Sequence, residues 1–300
     1  MRVAAIVNSD AGTVRKEDLD AASLREIFRD AGMEAAVHVV PGKRIVETAR
    51  EALASGAEVL AAGGGDGTIR AVASVLAGGD RPLAVLPLGT LNHFARDLGI
   101  PLDLAEAVRL IPNGVVRALD VGEVNGEIFV NNSMLGVYPP IVKVRDQERR
   151  TLDRGKWTAT ASAIFKVLPR LPSLRVRVKA EGEEMVRDTR FLFVGSNEYE
   201  MSLFKYSARS RHESGDLYLY IANPRSRLGL VGLALLGLVR DVKGTDSFEC
   251  LRLPEFTIEA HKRVLPVYFD GEVALLETPL RYRKRVRDLR VVAPPLTSPA

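Results

Sequence analysis

Residues 63–68 read Gly-Gly-Gly-Asp-Gly-Thr and follow directly on the apolar run Glu58-Val-Leu-Ala-Ala62. An apolar run that ends in glycines and passes into Thr68-Ile-Arg-Ala-Val-Ala-Ser-Val-Leu76 reads as a buried strand, a tight turn and a helix start. Helix starts leave backbone N–H groups unpaired and carry partial positive charge, which suits phosphate. Glycine lets the backbone approach a ligand and reach positive φ. Asp66 is the odd member, because a carboxylate repels a bare phosphate. It points to holding Mg²⁺ against phosphates or to accepting a proton from an attacking hydroxyl. The plainer reading, a Gly-rich turn in which Asp66 caps the helix, fits this stretch equally well.

These residues need a frame, and the first hundred residues supply one by alternating strand and helix signals. Val3–Val7, Ala35–Val40, Val59–Ala62 and Leu83–Leu86 read as strands. Between them, 17–31, 43–55 and 68–77 read as helices, and 103–111 follows as another, with Asp103 and Glu106 as a capping pair. This alternation predicts a parallel sheet with helices on both faces. Ligands of such sheets sit at the carboxyl ends of strands. Three loops stand there: Asn8-Ser-Asp-Ala-Gly-Thr13, Gly63–Thr68 and Pro87-Leu-Gly-Thr90.

After Gly114 the pattern changes. Val115–Val124 and Glu127–Asn132 flank Asn125-Gly126, a hairpin signal. Leu174–Val178, Arg190–Val194, Leu217–Ile221, Phe248–Leu253, Phe256–Glu259, Val264–Phe269 and Leu289–Val292 read as further strands, interrupted by helices near 153–168 and 227–240. The expected organisation is an α/β domain over 1–118 and a mostly β domain over 119–285, with a frayed tail from Pro294.

Composition narrows the setting. The 300 residues are 46% apolar and 27% charged, as in a globular chain. Cys250 is the single cysteine, so disulfides within the chain and Cys-rich metal sites are excluded and a reducing compartment is implied. The start, Met1-Arg-Val-Ala-Ala-Ile-Val, reads as a first strand rather than a signal peptide. The longest apolar stretch, Leu228 to Val239, has 12 residues, too few to cross a bilayer. The net charge of +4 is concentrated locally: 281–290 holds six basic residues and one acid, and 143–156 six basic and three acidic. Neither cluster has the interleaved aromatics of a nucleic-acid platform, so nucleic acid is not an expected partner. Residues 281–290 read instead as a solvated strand face with Tyr282, Val286 and Leu289 as apolar members. The four histidines show no metal-ligand spacing, and a helix surface is the expected place of His93.

Gly64-Gly-Asp-Gly-Thr68 followed by Pro87-Leu-Gly-Thr-Leu-Asn-His-Phe-Ala-Arg96 resembles the diacylglycerol kinase catalytic-domain family, in particular its soluble bacterial lipid kinases. Three more blocks appear in family order: Asp120-Val-Gly-Glu-Val-Asn125 with Phe129-Val-Asn-Asn-Ser133, then Ser214-Gly-Asp-Leu-Tyr-Leu219, then Asp270-Gly-Glu272. NAD kinases share the first block; Asn92 and Phe94-Ala-Arg96 separate this chain from them. The resemblance implies an ATP- and Mg²⁺-dependent lipid kinase with a glycerolipid acceptor such as diacylglycerol, working in a cleft between the two domains. It also implies that residues from about 286 return to the first domain.

Residue roles follow from the same resemblance and from the needs of phosphoryl transfer. Gly64, Gly65, Gly67, Thr68 and Thr90 are assigned to phosphates, and Asn8 and Thr13 to the nucleotide, although turn chemistry explains the last two about as well. Asp270 is assigned as base with Glu272 orienting it or the metal; without the family order, an ordinary Asp-Gly turn would be preferred. Asp66 stays in contention as base or metal ligand, and Asp97 is a third acid placed near the cleft. Asp216 and Leu217 match part of a second, structural Mg²⁺ site, but Ser214 stands where an acid belongs, with Glu213 before it. The first loop also lacks the proline usual after Asn8.

Residues 199–211 mix Met201, Leu203, Phe204 and Tyr206 with Lys205, Arg209 and Arg211, which suits a membrane surface; helix 227–240 is a second candidate. The expected location is cytoplasmic and peripheral to the membrane. A homodimer stays open. So do two other readings: a kinase of a sphingoid base or another hydroxylated small molecule, and a nucleotide- or lipid-binding protein without catalysis.

Overall fold

The computed structural model describes residues 1–136, 173–198, 215–222 and 248–295. The helices expected at 153–168 and 227–240, the cluster 143–156, the loop 199–211, Glu213, Ser214 and the last five residues lie outside these. The chain divides into two units, one of Met1–Val121 with the chain from Arg285, the other within Gly122–Lys284.

In the first unit, β1 (Val3–Asn8), β2 (Ala35–Val40), β3 (Val59–Gly64) and β4 (Leu83–Pro87) form a parallel sheet in the order β2-β1-β3-β4. Strands β3 and β4 are buried along their whole length and β1 along nearly all of it, as strands covered on both faces must be. The order reverses between β1 and β3, and sheets of this kind bind ligands in a crevice at the carboxyl ends of such strands. The helices are α1 (Gly12–Lys16), α2 (Ala21–Asp30), α3 (Ile45–Ala54), α4 (Asp66–Leu76), α5 (His93–Asp97) and α6 (Leu104–Asn113). Leu24 and Phe28 of α2 and Val108 and Ile111 of α6 pack with Val3, Ala5 and Val7 of β1. Burying a side chain such as Phe28 contributes about 1.5–3 kcal/mol.

The helix predicted over 17–31 is shorter in the structure. Asp18 adopts φ 51, and Asp20 then caps α2 by accepting the amides of Ala22 at 2.9 Å and Ser23 at 2.8 Å. Likewise Gly42–Arg44 is a 3-10 turn, and α3 begins only at Ile45. Asp103 caps α6 through the Glu106 amide at 2.9 Å.

Two strands run from one unit into the other: β5 (Val115–Val124) and β16 (Leu280–Ala293). The far end of β16 lies parallel to β4, with Val291 beside Leu83. Of its predicted apolar members, Tyr282 and Leu289 are buried but Val286 is 58% exposed. Arg287, at φ 51 within the strand, shifts the inside–outside phase.

The second unit is β-rich. After β6 (Glu127–Phe129), β7 (Asn132–Gly136), β10 (Phe191–Gly195), β11 (Leu217–Ala222), β12 (Phe248–Leu253), β14 (Val264–Phe269) and β15 (Glu272–Glu277) form an antiparallel sheet in the order β12-β11-β10-β7-β14-β15. The head of β16 pairs with β13 (Glu255–Ala260), which pairs with β8 (Leu174–Ala180) and then β9 (Glu183–Thr189). Leu135, Leu192, Val194 and Leu219 from the first set meet Val176, Val178, Phe256, Ile258 and Tyr282 from the second in one core. The hairpin β5–β6 turns at Asn125 and Gly126, at φ 50 and 90, the backbone that Asn-Gly prefers. The strand predicted over 127–132 is split by a bend at residues 130 and 131. Among the described residues no helix is long and apolar enough to cross a membrane.

Candidate functional site

The three loops of the first unit meet at the crevice. Asn8, the last residue of β1, donates from Nδ2 to Thr68 Oγ1 at 3.1 Å and accepts the Asp10 amide at 2.9 Å on Oδ1. The Thr13 amide donates to Leu88 O at 3.4 Å, and a Cβ on Gly12 would come within 4.0 Å of Thr90 Oγ1. Gly64 has no room for a side chain, since its Cβ would lie 2.5 Å from Thr68 Oγ1. Gly89 is as tight, with a Cβ 2.5 Å from Gly65 Cα and 2.7 Å from Asn92 Oδ1. The two glycine loops therefore pack backbone against backbone.

Asn92 holds the second loop shut. It stands in the left-handed region (φ 50, ψ 48), accepts the Gly89 amide at 2.9 Å and donates to Pro87 O at 3.0 Å. Asparagine is among the few residues other than glycine that tolerate this backbone, so its place after Gly89-Thr-Leu is the local signal for this turn.

Asp66 does not cap its own helix. Its carboxylate accepts the amides of His93 at 3.3 Å and Phe94 at 3.0 Å, at the start of α5. The capping residue of α4 is Gly65, which offers no side-chain acceptor. Gly67 lies in the first turn of α4 and is half-buried. His93 opens α5 and Asp97 closes it, both half-buried rather than on an exposed helix surface.

The acidic turn lies in the second unit. Asp270 at φ 46 and Gly271 at φ 107 form the two-residue turn between β14 and β15, with Phe269 paired to Glu272. The turn is an ordinary Asp-Gly hairpin in its backbone and unusual in its side chain. Asp270 is 2% exposed. Its Oδ2 accepts the Val130 amide at 2.5 Å, and its Oδ1 accepts those of Asn131 at 2.9 Å and Asn132 at 3.1 Å. These three bonds make the bend between β6 and β7. Nothing local in the sequence signals them, because the partners are 138–140 residues away. Glu272, by contrast, is exposed at the head of β15.

The four residues considered for metal divide between the units. Asp66 and Asp97 belong to the first, Asp216 and Leu217 to the second. Asp216 forms an ion pair with Arg252, whose guanidinium is thereby held more firmly protonated. Leu217 is buried at the start of β11. Among the described residues no three His, Cys, Asp or Glu side chains gather as a metal cage.

Comparison with known proteins places this geometry in a class. Residues 2–124 match the model of the diacylglycerol kinase catalytic domain. Over 253 residues, 81% of this chain and 80% of the relative, the sequence is 34% identical to a Pseudomonas aeruginosa protein named "Probable lipid kinase YegS-like". Over 114 residues, 37% of this chain and 38% of the relative, it is 42% identical to the diacylglycerol kinase of Bacillus subtilis. A crystal structure of a diacylglycerol kinase from Bacillus anthracis has the same fold, with a TM-score of 0.72 at 23% identity over 98% of this chain and 97% of that one. The chain belongs to the diacylglycerol kinase-like family of bacterial lipid kinases.

Proposed function

We propose that this protein is an ATP- and Mg²⁺-dependent kinase that phosphorylates the free hydroxyl of a glycerolipid such as diacylglycerol. The uncapped start of α4 is what supports the nucleotide half. Gly65 supplies no cap and Asp66 is turned toward α5, so no side chain caps the first turn of α4; the Thr68 amide closes on Gly65 O at 2.9 Å, which leaves those of Asp66 and Gly67 for a ligand. An anionic phosphate fits that position by both hydrogen bonding and helix dipole. In this reading Gly64, Gly65, Gly67 and Thr68 cradle the phosphates, Thr90 adds a hydroxyl, and Asn8 and Thr13 border the nucleotide.

A magnesium ion bound through phosphates needs only one or two carboxylates from the protein, which agrees with the lack of a larger acidic cage among the described residues. Asp66, with Asp97 further along α5, would hold it, and when bound it neutralises charge on the transferred phosphoryl group. We assign proton acceptance to Glu272 and a positioning role to Asp270. Asp270 is 2% exposed and accepts three backbone amides, so it is shut away from solvent, whereas Glu272 is exposed. Attachment to the membrane is read as peripheral, because the acceptor is a lipid.

Incubation with γ-labelled ATP and Mg²⁺ against diacylglycerol, a sphingoid base and a soluble polyol tests the proposal. Label in the diacylglycerol product that EDTA abolishes supports it. Label on the sphingoid base alone moves the acceptor class, and no label on any lipid removes the kinase reading.

A further inference from the structure

The bend between β6 and β7 carries two side chains whose buried amide oxygens make no hydrogen bond. Asn131 is 2% and Asn132 8% exposed, yet Oδ1 of each has no hydrogen-bond partner. Their main chain is committed instead. Both amides go to Asp270, Asn131 O accepts the Ser196 amide at 2.9 Å, and Asn132 O accepts the Asp270 amide at 3.3 Å. Lys284 in turn donates to the Ser196 hydroxyl at 3.3 Å. The bend is pinned from three sides and cannot relax to satisfy the two amides. Buried polar groups without partners are uncommon, because their desolvation goes uncompensated. A rigid frame that keeps two acceptors open suits a ligand that brings donors.

Strand alternation places one of them. The Ser133 hydroxyl meets the Tyr282 hydroxyl at 3.0 Å inside the core, so Asn132 and Met134 point to the other face of the sheet. Met134 packs there against Phe193, Tyr218 and Tyr220. Directly across from Asn132 stands Gly195, which puts no side chain on that face. Asn132 is therefore a polar end to an aromatic strip, with no side chain directly across from it and the 270–272 turn as its neighbour.

We propose that Asn132, seconded by Asn131, recognises the alcohol of the acceptor. The amide oxygen accepts the O–H, and the apolar body of the ligand lies toward Met134, Phe193 and Tyr220. This rests on the lipid-kinase reading and narrows it: the acceptor must present a donor at the end of an apolar body. A capped alcohol is refused, because two acceptors would then face each other in a dry site.

Binding to the full chain, measured without nucleotide, tests this with 1,2-dioctanoylglycerol and its 3-O-methyl ether. Wild type is expected to prefer the free alcohol at least about tenfold. Asn132→Leu, of the same size but with no acceptor, is expected to lose the preference without a lower melting temperature, since it replaces an unsatisfied group by an apolar one. If that variant does not fold, Asn132→Ala is judged by the same loss of preference. Equal binding of the two ligands by wild type, or a variant that keeps the preference, overturns the inference. A wild type that discriminates but transfers no phosphate refutes the kinase reading and leaves this site standing; one that transfers phosphate without discriminating refutes this site alone.

Discussion

Asp66 Oδ1 accepts the backbone N–H of Phe94 at 3.0 Å, so the acid of the first glycine loop caps the helix of the second. One carboxylate thus ties together two loops that are 28 residues apart. A purely structural cap and a cap that also serves the metal make different demands on the residue. Asp66→Asn keeps the shape and one acceptor oxygen, and Asp66→Ala keeps neither. Capping alone predicts a loss of about 1 kcal/mol for alanine, much less for asparagine, and activity that tracks stability. The proposed metal role predicts that asparagine loses activity by about 100-fold or more with its melting temperature nearly unchanged. An Asp66→Asn enzyme with near-normal turnover would reduce Asp66 to a cap.

Gly89 and Gly65 share one contact surface, and no side chain can be inserted between them. Gly89→Ala must push the two loops apart by displacing backbone. The expected cost is about 1–3 kcal/mol, as in overpacked sites, together with a higher KM for ATP. Gly99 is the comparison. It has φ +69 but nothing within 4 Å of its Cβ position, so Gly99→Ala costs only backbone strain of about 1 kcal/mol and leaves the KM alone. Thermal melts with ATP titrations check both, and equal KM values in the two variants would separate the loop contact from nucleotide binding.

Asp270 and Glu272 share a turn and differ in burial. Asp270→Asn keeps one acceptor but sets an NH₂ group against backbone amides in the core. It is expected to lower stability by about 2–4 kcal/mol and to lose turnover through the collapsed bend. Glu272→Gln is expected to keep its stability within about 0.5 kcal/mol, as a surface change does, to bind ATP normally and to lose turnover. Chemical denaturation beside single-turnover kinetics tells them apart. A stable, active Glu272→Gln would return the base to Asp66 or Asp270.

What the sequence made legible was local. Glycines after an apolar run place the phosphate loop, and Asn125-Gly126 places a hairpin, because each depends on the φ that its own residues tolerate. The β9 strand escaped because Glu-Glu-Met-Val-Arg-Asp-Thr carries the charges of a sheet edge, and its turn uses Glu181 at φ 51, a poor turn residue by type. The fold of the 130–132 bend escaped for a different reason. It is written by a carboxylate far along the chain, and periodicity carries no information about such a pair. The candidate site divides the same way: its glycines could be read in order, whereas the partners of Asp66 and Asp270 had to be found in three dimensions.

Arg187 and Glu249 join β9 to β12, the outer strands of the two sheets of the second unit, through bonds of 2.7 and 2.9 Å. The Arg187 hydrogen bond holds the Glu249 carboxyl below its ordinary value of 4.5. A lowered folded value stabilises the protein above the unfolded value and is lost as pH falls through the folded one. Both side chains are about one-third exposed, so solvent limits the gain to about 1 kcal/mol or less. Arg187→Met is expected to lower the urea midpoint at pH 7 and to match wild type near pH 3. An equal deficit at both pH values would assign the loss to packing instead.

Tyr282 places its phenol wholly inside the core, stacked on Phe256 with ring centroids 4.9 Å apart and bonded to Ser133 at 3.0 Å. Burial holds its ionisation well above the ordinary tyrosine value of 10.0, and the Ser133 bond draws it back only in part. A raised folded value favours the neutral form. The stabilisation is therefore complete below pH 10 and drains away as pH rises above it, while the unfolded chain ionises freely. Tyr282→Phe removes that drain and leaves Ser133 without its partner. It is expected to be less stable than wild type by about 1 kcal/mol at pH 8, with the gap closing as pH passes 11. Urea unfolding across pH 8–11.5 checks the sign; curves that stay parallel would show that the phenol of Tyr282 does not set the alkaline limit of the fold.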